Sequence, residues 1–181
     1  MAGKYYTGTG DKGDTGLLAN YRVSKGDVLI EAIGNIDELN SYIGIAIFHI
    51  RNDQLRAMLK HVQNELFIIG ANLASGDGKK IEKAIIDDKA IVRLEENIEK
   101  LSAPMPHLKQ FVMPGGCDGA VHLHFARALA RRAERRVVSV SERYDLDKGV
   151  IAYVNRLSSF LFVAALYLNY TEGIEEEHPT Y

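Results

Sequence analysis

A chain of 181 residues, 46% hydrophobic and 25% charged, suits one domain with a sizeable core and has the balance of a globular protein. Its 22 basic and 24 acidic side chains leave a formal charge of −2, which excludes a general nucleic-acid binder, because such a protein needs a basic surface to displace counterions. The single cysteine, Cys117, excludes an intrachain disulfide framework; with no apolar run of membrane-spanning length and no leader ahead of the first motif, the expected location is the cytoplasm.

Residues 1–30 are unlike the rest. TGTGDKGDTG interleaves Gly8, Gly10, Gly13 and Gly16 with Thr7, Thr9, Asp11, Lys12 and Thr15. Glycines let backbone N–H groups approach an anion, and Thr and Lys add donors. Gly8-x-Gly10-x-x-Gly13 matches the dinucleotide fingerprint only in form, since no adequate strand precedes it and no βαβ pattern follows. No Gly-Lys-Ser/Thr closes it as a Walker loop. A phosphate-binding loop and a plain N-terminal tail both remain open on composition.

From about Glu31 to Arg51, Ile36, Leu39, Ile43, Ala46, Ile47 and Ile50 recur at helical spacing. Asp37, Asn40, Ser41 and Gly44 form a second, polar face; Asp37 suits the helix dipole, or else serves an arginine elsewhere. The next helix, about Asp53 to Ala74, carries Leu55, Leu59, Val62, Leu66, Ile69 and Leu73 in the three–four alternation of a bundle seam. Gly76-Asp77-Gly78 stops it, and a basic loop with Lys79 and Lys80 follows. A third helix starts at Asp87 or Asp88 and is expected to bury Ile91, Leu94, Ile98 and Leu101.

Residues 103–116, APMPHLKQFVMPGG, hold three of the four prolines and interrupt the pattern. Phe111, just before Pro114-Gly115-Gly116, either closes a pocket or plugs the core. The fourth helix, about Cys117 to Tyr144, has no breaker and is rich in strong helix formers. Its core stripe is Ala126, Ala130, Ala133, Val137 and Val140. Arg132, Arg136 and Arg143 lie opposite, as a solvated face. Arg127, Arg131 and Glu134 stack on the flank, where guanidinium forks suit a polyanion, although on the helix alone ordinary ion pairing is the favoured reading. The fifth helix follows Asp147-Lys148-Gly149 and buries Val150, Val154, Leu157, Leu161, Ala164 and Leu168, with Asn155, Ser158 and Phe162 on the adjacent flank. Asn155 and Arg156 need partners in so apolar a helix. The acidic tail TEGIEEEHPTY is expected to be mobile. The fold class is therefore all-α: one domain comprising a Gly-rich irregular arm (1–30), a five-helix bundle (31–171) and the tail (172–181).

Together, YTGTGDKGDTGLL at 6–18, GNIDELNSYIG at 34–44, FVMPGG with ARALARRAERRVV across 111–138, and NRLSSFLF at 155–162 resemble the PduO-type ATP:cob(I)alamin adenosyltransferases. The resemblance implies a ferritin-like, cobalamin adenosyltransferase-like bundle, assembled as a homotrimer with active sites between subunits. It implies transfer of the 5′-deoxyadenosyl group of ATP to the cobalt of cob(I)alamin, with triphosphate released. It assigns Thr7, Gly8, Thr9, Gly10, Thr15 and Gly16 to the triphosphate and its Mg²⁺. Lys25, Arg131, Arg132, Ala133, Glu134, Arg135 and Asn155 fall among its ATP contacts. Asp37 and Arg127 match a pair that crosses the subunit interface, and Phe111 matches the aromatic that keeps the lower axial base off the corrinoid. Gly8 stands where a basic residue is common, and Ser159 where an Asp often follows Asn-Arg-Leu-Ser. A reductase and an adenosylcobalamin-dependent client enzyme are the implied partners, with neither nucleic acid nor membrane involved. The alternative is a non-catalytic adenosylcobalamin carrier or ATP sensor on the same bundle. A di-iron bundle is disfavoured, because the only Glu-x-x-His is Glu175 to His178 in the tail, and His122 and His124 do not face each other on a helix.

Overall fold

The computed structural model describes residues 5–18, 22–76 and 86–180. Asp77, Gly78, Lys79 and Lys80, the expected helix stop and basic loop, lie outside the described residues. Among the described residues five helices follow in order: α1 (Val28–His49), α2 (Asp53–Ala74), α3 (Asp88–Ser102), α4 (Asp118–Ser141) and α5 (Lys148–Thr171). The arm is less irregular than its glycines suggest. Strands β1 (Asp14–Gly16) and β2 (Arg22–Ser24) pair antiparallel, with Thr15 opposite Val23.

Side-chain caps set the starts of four of the five helices, α4 being the exception. Asp27 accepts from Leu29 N, Asn52 from Leu55 N, Asp87 from Ala90 N and Asp147 from Gly149 N. α4 packs against α1 and α5, α1 against α2, and α3 against α5. Every residue of the expected α4 stripe is buried, as are the expected core positions of α1, α2 and α5. In α3, Leu94 and Leu101 are buried but Ile91 and Ile98 only partly, because this shorter helix covers one side of α5 and leaves its flanks to solvent. Across the core, Glu65 of α2 accepts from Arg93 of α3 and from the Tyr153 hydroxyl of α5. Burial, and then the neighbouring Glu65 charge, push the Tyr153 hydroxyl far above its ordinary pKa, so it donates at every working pH.

One expectation is corrected. Gly149–Thr171 is long and apolar enough to cross a membrane, with mean hydropathy 1.6. Yet Tyr153, Val154, Leu157, Phe160 and Leu161 have no exposed surface, so its apolar length is spent on the bundle core.

Candidate active site

The platform of the site is the flank of α4. Arg127 and Arg131, one turn apart, line a cleft of about 590 Å³ together with Phe111, Val112, Ser158, Ser159 and Phe162. The cleft thus joins α4, α5 and the proline-rich loop. The Arg127 guanidinium carbon lies 5.9 Å from the Phe162 ring centroid, within the range of a cation–π contact. Arg127 Nε is buried and has no hydrogen-bond partner among the described residues. Arg131 is exposed, and its side chain makes no ion pair or hydrogen bond among the described residues. It is a free fork at the mouth of a cleft.

The other arginines have structural employment. Arg132 pairs with Glu38, and Arg136 Nε lies 3.5 Å from Glu31 Oε1. Two of the three arginines expected to be solvated, Arg132 and Arg136, therefore reach across to glutamates of α1 while staying about half exposed. Arg135 donates to the Arg131 carbonyl at 3.0 Å. Ala133 has no exposed surface, so its side chain packs the core and offers no ligand contact. Glu134 and Asn155 are brought together, with Nδ2 donating to Oε1 at 2.7 Å. Arg156 Nε sits 2.9 Å from Glu95 Oε1; the polar pair within the apolar α5 finds its partners on two neighbouring helices.

His124, one turn before Arg127, is only 3% exposed and neither ring nitrogen has a partner among the described residues. Its ring meets Phe162 at 6.1 Å. Burial, and then the charge of Arg127, lower its pKa below the ordinary 6.5, so it stays neutral and leaves Arg127 as the cation. A base whose native pKa is depressed binds fewer protons folded than unfolded. Stability therefore declines as pH falls below about 6.5. Urea midpoints at pH 7.5 and 5.5 should differ more for the parent chain than for His124→Leu.

The arm forms a second centre. Gly8 and Gly13 take φ of +71° and +88°, conformations costly to any other residue. Asp11 N donates to Gly8 O at 3.3 Å, Gly13 N to Gly10 O at 3.2 Å, and Lys25 N to Gly13 O at 2.8 Å. The Lys25 ammonium lies above Gly10, where an added Cβ would meet Nζ at 3.1 Å. Arg22, which the sequence reading passed over, donates to the carbonyls of Thr9 at 2.7 Å and Asp14 at 3.1 Å. Thr7 and Thr9 hydroxyls share a 2.9 Å bond. Lys25 and the glycine loop are thus brought together. Among the described residues, Thr7 to Gly16 make no hydrogen bond or ion pair with Arg127, Arg131 or Asn155. Asp37 is exposed, and within one chain no ion pair joins it to Arg127.

Phe111 stands 80% exposed, so it does not plug the core. Its loop is held by the acidic tail, which folds back across it. His178 Nδ1 lies 2.8 Å from the Phe111 carbonyl oxygen, and Met113 N donates to Glu177 O at 2.7 Å. Asn169, 1% exposed, ties the assembly together. Its Oδ1 accepts from Cys117 N at 3.0 Å, and its Nδ2 donates to Gly115 O at 3.2 Å and Glu176 Oε1 at 3.0 Å. Sequence alone gave no sign of this, since an Asn among apolar residues near a helix end carries no periodic signal.

The cobalamin adenosyltransferase family model matches residues 5–168. The chain is 41% identical to the corrinoid adenosyltransferase of Bacillus subtilis (strain 168) over 175 residues, covering 94% of this chain and 89% of that protein. It is 40% identical over 161 residues to the corrinoid adenosyltransferase PduO of Citrobacter freundii, covering 88% of this chain and 48% of that longer protein. Among solved structures, a variant of a PduO-type ATP:corrinoid adenosyltransferase from Lactobacillus reuteri, complexed with cobalamin and ATP, superposes with a TM-score of 0.92 at 34% identity, covering 97% of this chain and 96% of that one.

Proposed function

The chain belongs to the cobalamin adenosyltransferase family, and from that premise we propose how its own residues move the 5′-deoxyadenosyl group of ATP onto the cobalt of a reduced corrinoid. The protein is an ATP:corrinoid adenosyltransferase. The observation that carries the residue assignment is the cleft in which free Arg131 and aromatic Phe111 face one volume.

Cobalt(I) brings its own electron pair. That pair forms the Co–C5′ bond as the C5′–O5′ bond breaks, and triphosphate leaves with the bonding electrons. No proton moves at the reacting carbon, so no general base is required. The residues contribute alignment and charge. Arg131, Lys25 and the loop N–H groups hold the departing triphosphate. Glu134 fixes Asn155, which faces the nucleotide. Thr15 and Gly16 keep the loop in register through β1. A Mg²⁺ accompanying ATP would be held mainly by phosphate oxygens, and the Thr7 and Thr9 hydroxyls and the Asp11 carboxylate, which lies close to Gly8, are hard oxygen donors that would suit it. Phe111, Val112 and Phe162 wall the corrinoid against water and against its own axial base, which eases reduction to cobalt(I).

Arm and cleft share no hydrogen bond or ion pair within one chain among the described residues, which fits sites completed between copies; the homotrimer is the assembly that the resemblance implies. An exposed stripe of Ile45 and Phe48 on α1 beside Val121 and Phe125 on α4 supplies an apolar face. Asp37 on α1 and the half-buried Arg127 on α4, whose Nε has no hydrogen-bond partner among the described residues, supply complementary charges. Asp37→Arg is expected to lower both the assembly state read by light scattering and the activity, with partial recovery in the Asp37→Arg/Arg127→Asp double variant. The proposed location is the cytoplasm, in keeping with a reduced cysteine and a cobalt(I) substrate.

The test is an anaerobic reaction of chemically reduced cobalamin with Mg²⁺ and ATP, following the adenosylcobalamin spectrum and free triphosphate. Both products appear if the reading holds; corrinoid binding without triphosphate release makes the protein a carrier. Phe111→Ala is expected to keep ATP affinity while lowering turnover, measured as kcat against KM for ATP. A raised KM with unchanged kcat would place Phe111 at the nucleotide instead.

A further inference from the structure

Away from the cleft, three side chains converge where α1 ends and α4 begins. A Cβ on Gly119, in the first turn of α4, would lie 2.8 Å from Leu168 Cδ1 and 3.0 Å from Ile50 Cγ1, so a glycine is what lets these helix ends approach so closely. That approach sets His49, in the last turn of α1, against Asp118, with Nδ1 2.7 Å from Oδ2. One turn on, His122 Nε2 lies 3.7 Å from the other carboxylate oxygen. Its Nδ1 is hydrogen-bonded to the Tyr42 hydroxyl at 2.8 Å. One ligand atom from each of His49, Asp118 and His122 lies within 4.8 Å of the other two.

The geometry points to a binding site for a divalent transition-metal ion of the zinc class, held by His49, Asp118 and His122. It is independent of the Mg²⁺ that accompanies ATP. Two imidazoles and one carboxylate suit Zn²⁺, Co²⁺ or Ni²⁺, whereas Mg²⁺ prefers an all-oxygen set. Three protein ligands leave a position for water. A helix-end ion pair needs only His49 and Asp118. The second imidazole, held towards the same carboxylate by Tyr42, is the arrangement by which an outer hydrogen bond orients a metal-binding histidine. The two rings stack with centroids 4.1 Å apart and planes 25° from parallel. An ion shared by both therefore requires His49 to turn about its Cβ–Cγ bond, and with 32% of its side chain exposed it has room to do so. His122 and Arg127 are five residues apart, about 140° around the helix, so the ion and the corrinoid occupy different faces of α4.

The experiment uses the full, untagged chain, stripped with chelator and free of nucleotide. It is titrated with Co²⁺ by visible absorbance and then with Zn²⁺ in competition. One Co²⁺ per chain is expected, displaced by Zn²⁺ and retained in millimolar Mg²⁺. His49→Gln and His122→Gln should each weaken binding at least about tenfold, and Tyr42→Phe by about tenfold, with helical circular dichroism unchanged. Absence of a stoichiometric site, or binding that persists at parent affinity in both histidine variants, would overturn the assignment and leave a helix-end ion pair. If a glutamine variant fails to fold, Asp118→Asn, whose side chain is largely exposed, reads the same site.

Discussion

Replacing Arg131 with alanine is expected to lower kcat/KM for ATP by roughly 10- to 150-fold, the equivalent of one lost charge-assisted hydrogen bond of about 1.5–3 kcal/mol, with no loss of thermal stability. The reason lies in the division of labour along α4. Arg132 and Arg136 are held by Glu38 and Glu31 of α1, and Arg135 caps a carbonyl of its own helix. Arg131 alone of these four points a free guanidinium at the cleft shared with Phe111. Arg132→Ala is the contrast: it removes a helix–helix ion pair and should act on stability first. Arg131→Lys keeps the charge but loses the fork, so it should recover only part of the activity. Steady-state kinetics and melting temperatures on the three variants separate the roles. Parent kinetics in Arg131→Ala would return that residue to the solvated surface.

The second large effect is expected at Gly116. Its φ is +108°, and a Cβ there would lie 2.0 Å from Asn169 Oδ1. Gly116→Ala therefore meets two penalties: backbone strain of about 1–3 kcal/mol, and displacement of the Asn169 amide from Cys117 N, Gly115 O and Glu176. Each surrendered bond adds about 1 kcal/mol. The damage runs in two directions from one atom, loosening the start of α4 and releasing the loop that carries Phe111. Denaturant midpoints should fall and turnover with them. Asn169→Ala in the Gly116→Ala background removes the collision, so recovery of stability in the double variant would identify it as the cause.

How far the sequence carries this reading depends on the kind of signal. The three–four alternation of Leu55, Leu59, Val62, Leu66, Ile69 and Leu73 placed α2 at its observed ends, because burial on one face repeats along the chain. The flank of Arg127, Arg131 and Glu134 was legible for the same reason. Sorting the arginines was not: whether Arg132 is solvated or paired depends on Glu38, 94 residues away. The tail is a similar case. Its acidic composition resembles a disordered end, yet Glu177 and His178 bond the Phe111 loop through a backbone carbonyl and one imidazole, contacts with no periodicity. The β1–β2 hairpin escaped because three-residue strands are too short to alternate. His49 and His122 were separately visible, but only the close approach allowed by Gly119 joins them.

The fold-back of the tail has a consequence for how this chain can be extended. The glycine arm at one end and the His178 latch at the other are both engaged, so neither terminus is a neutral attachment point. A reporter fused after residue 180 would pull on the latch, and one fused before residue 5 would crowd the triphosphate loop. The turn between α1 and α2, where Arg51 is exposed, engages neither the arm nor the latch and is the better graft site.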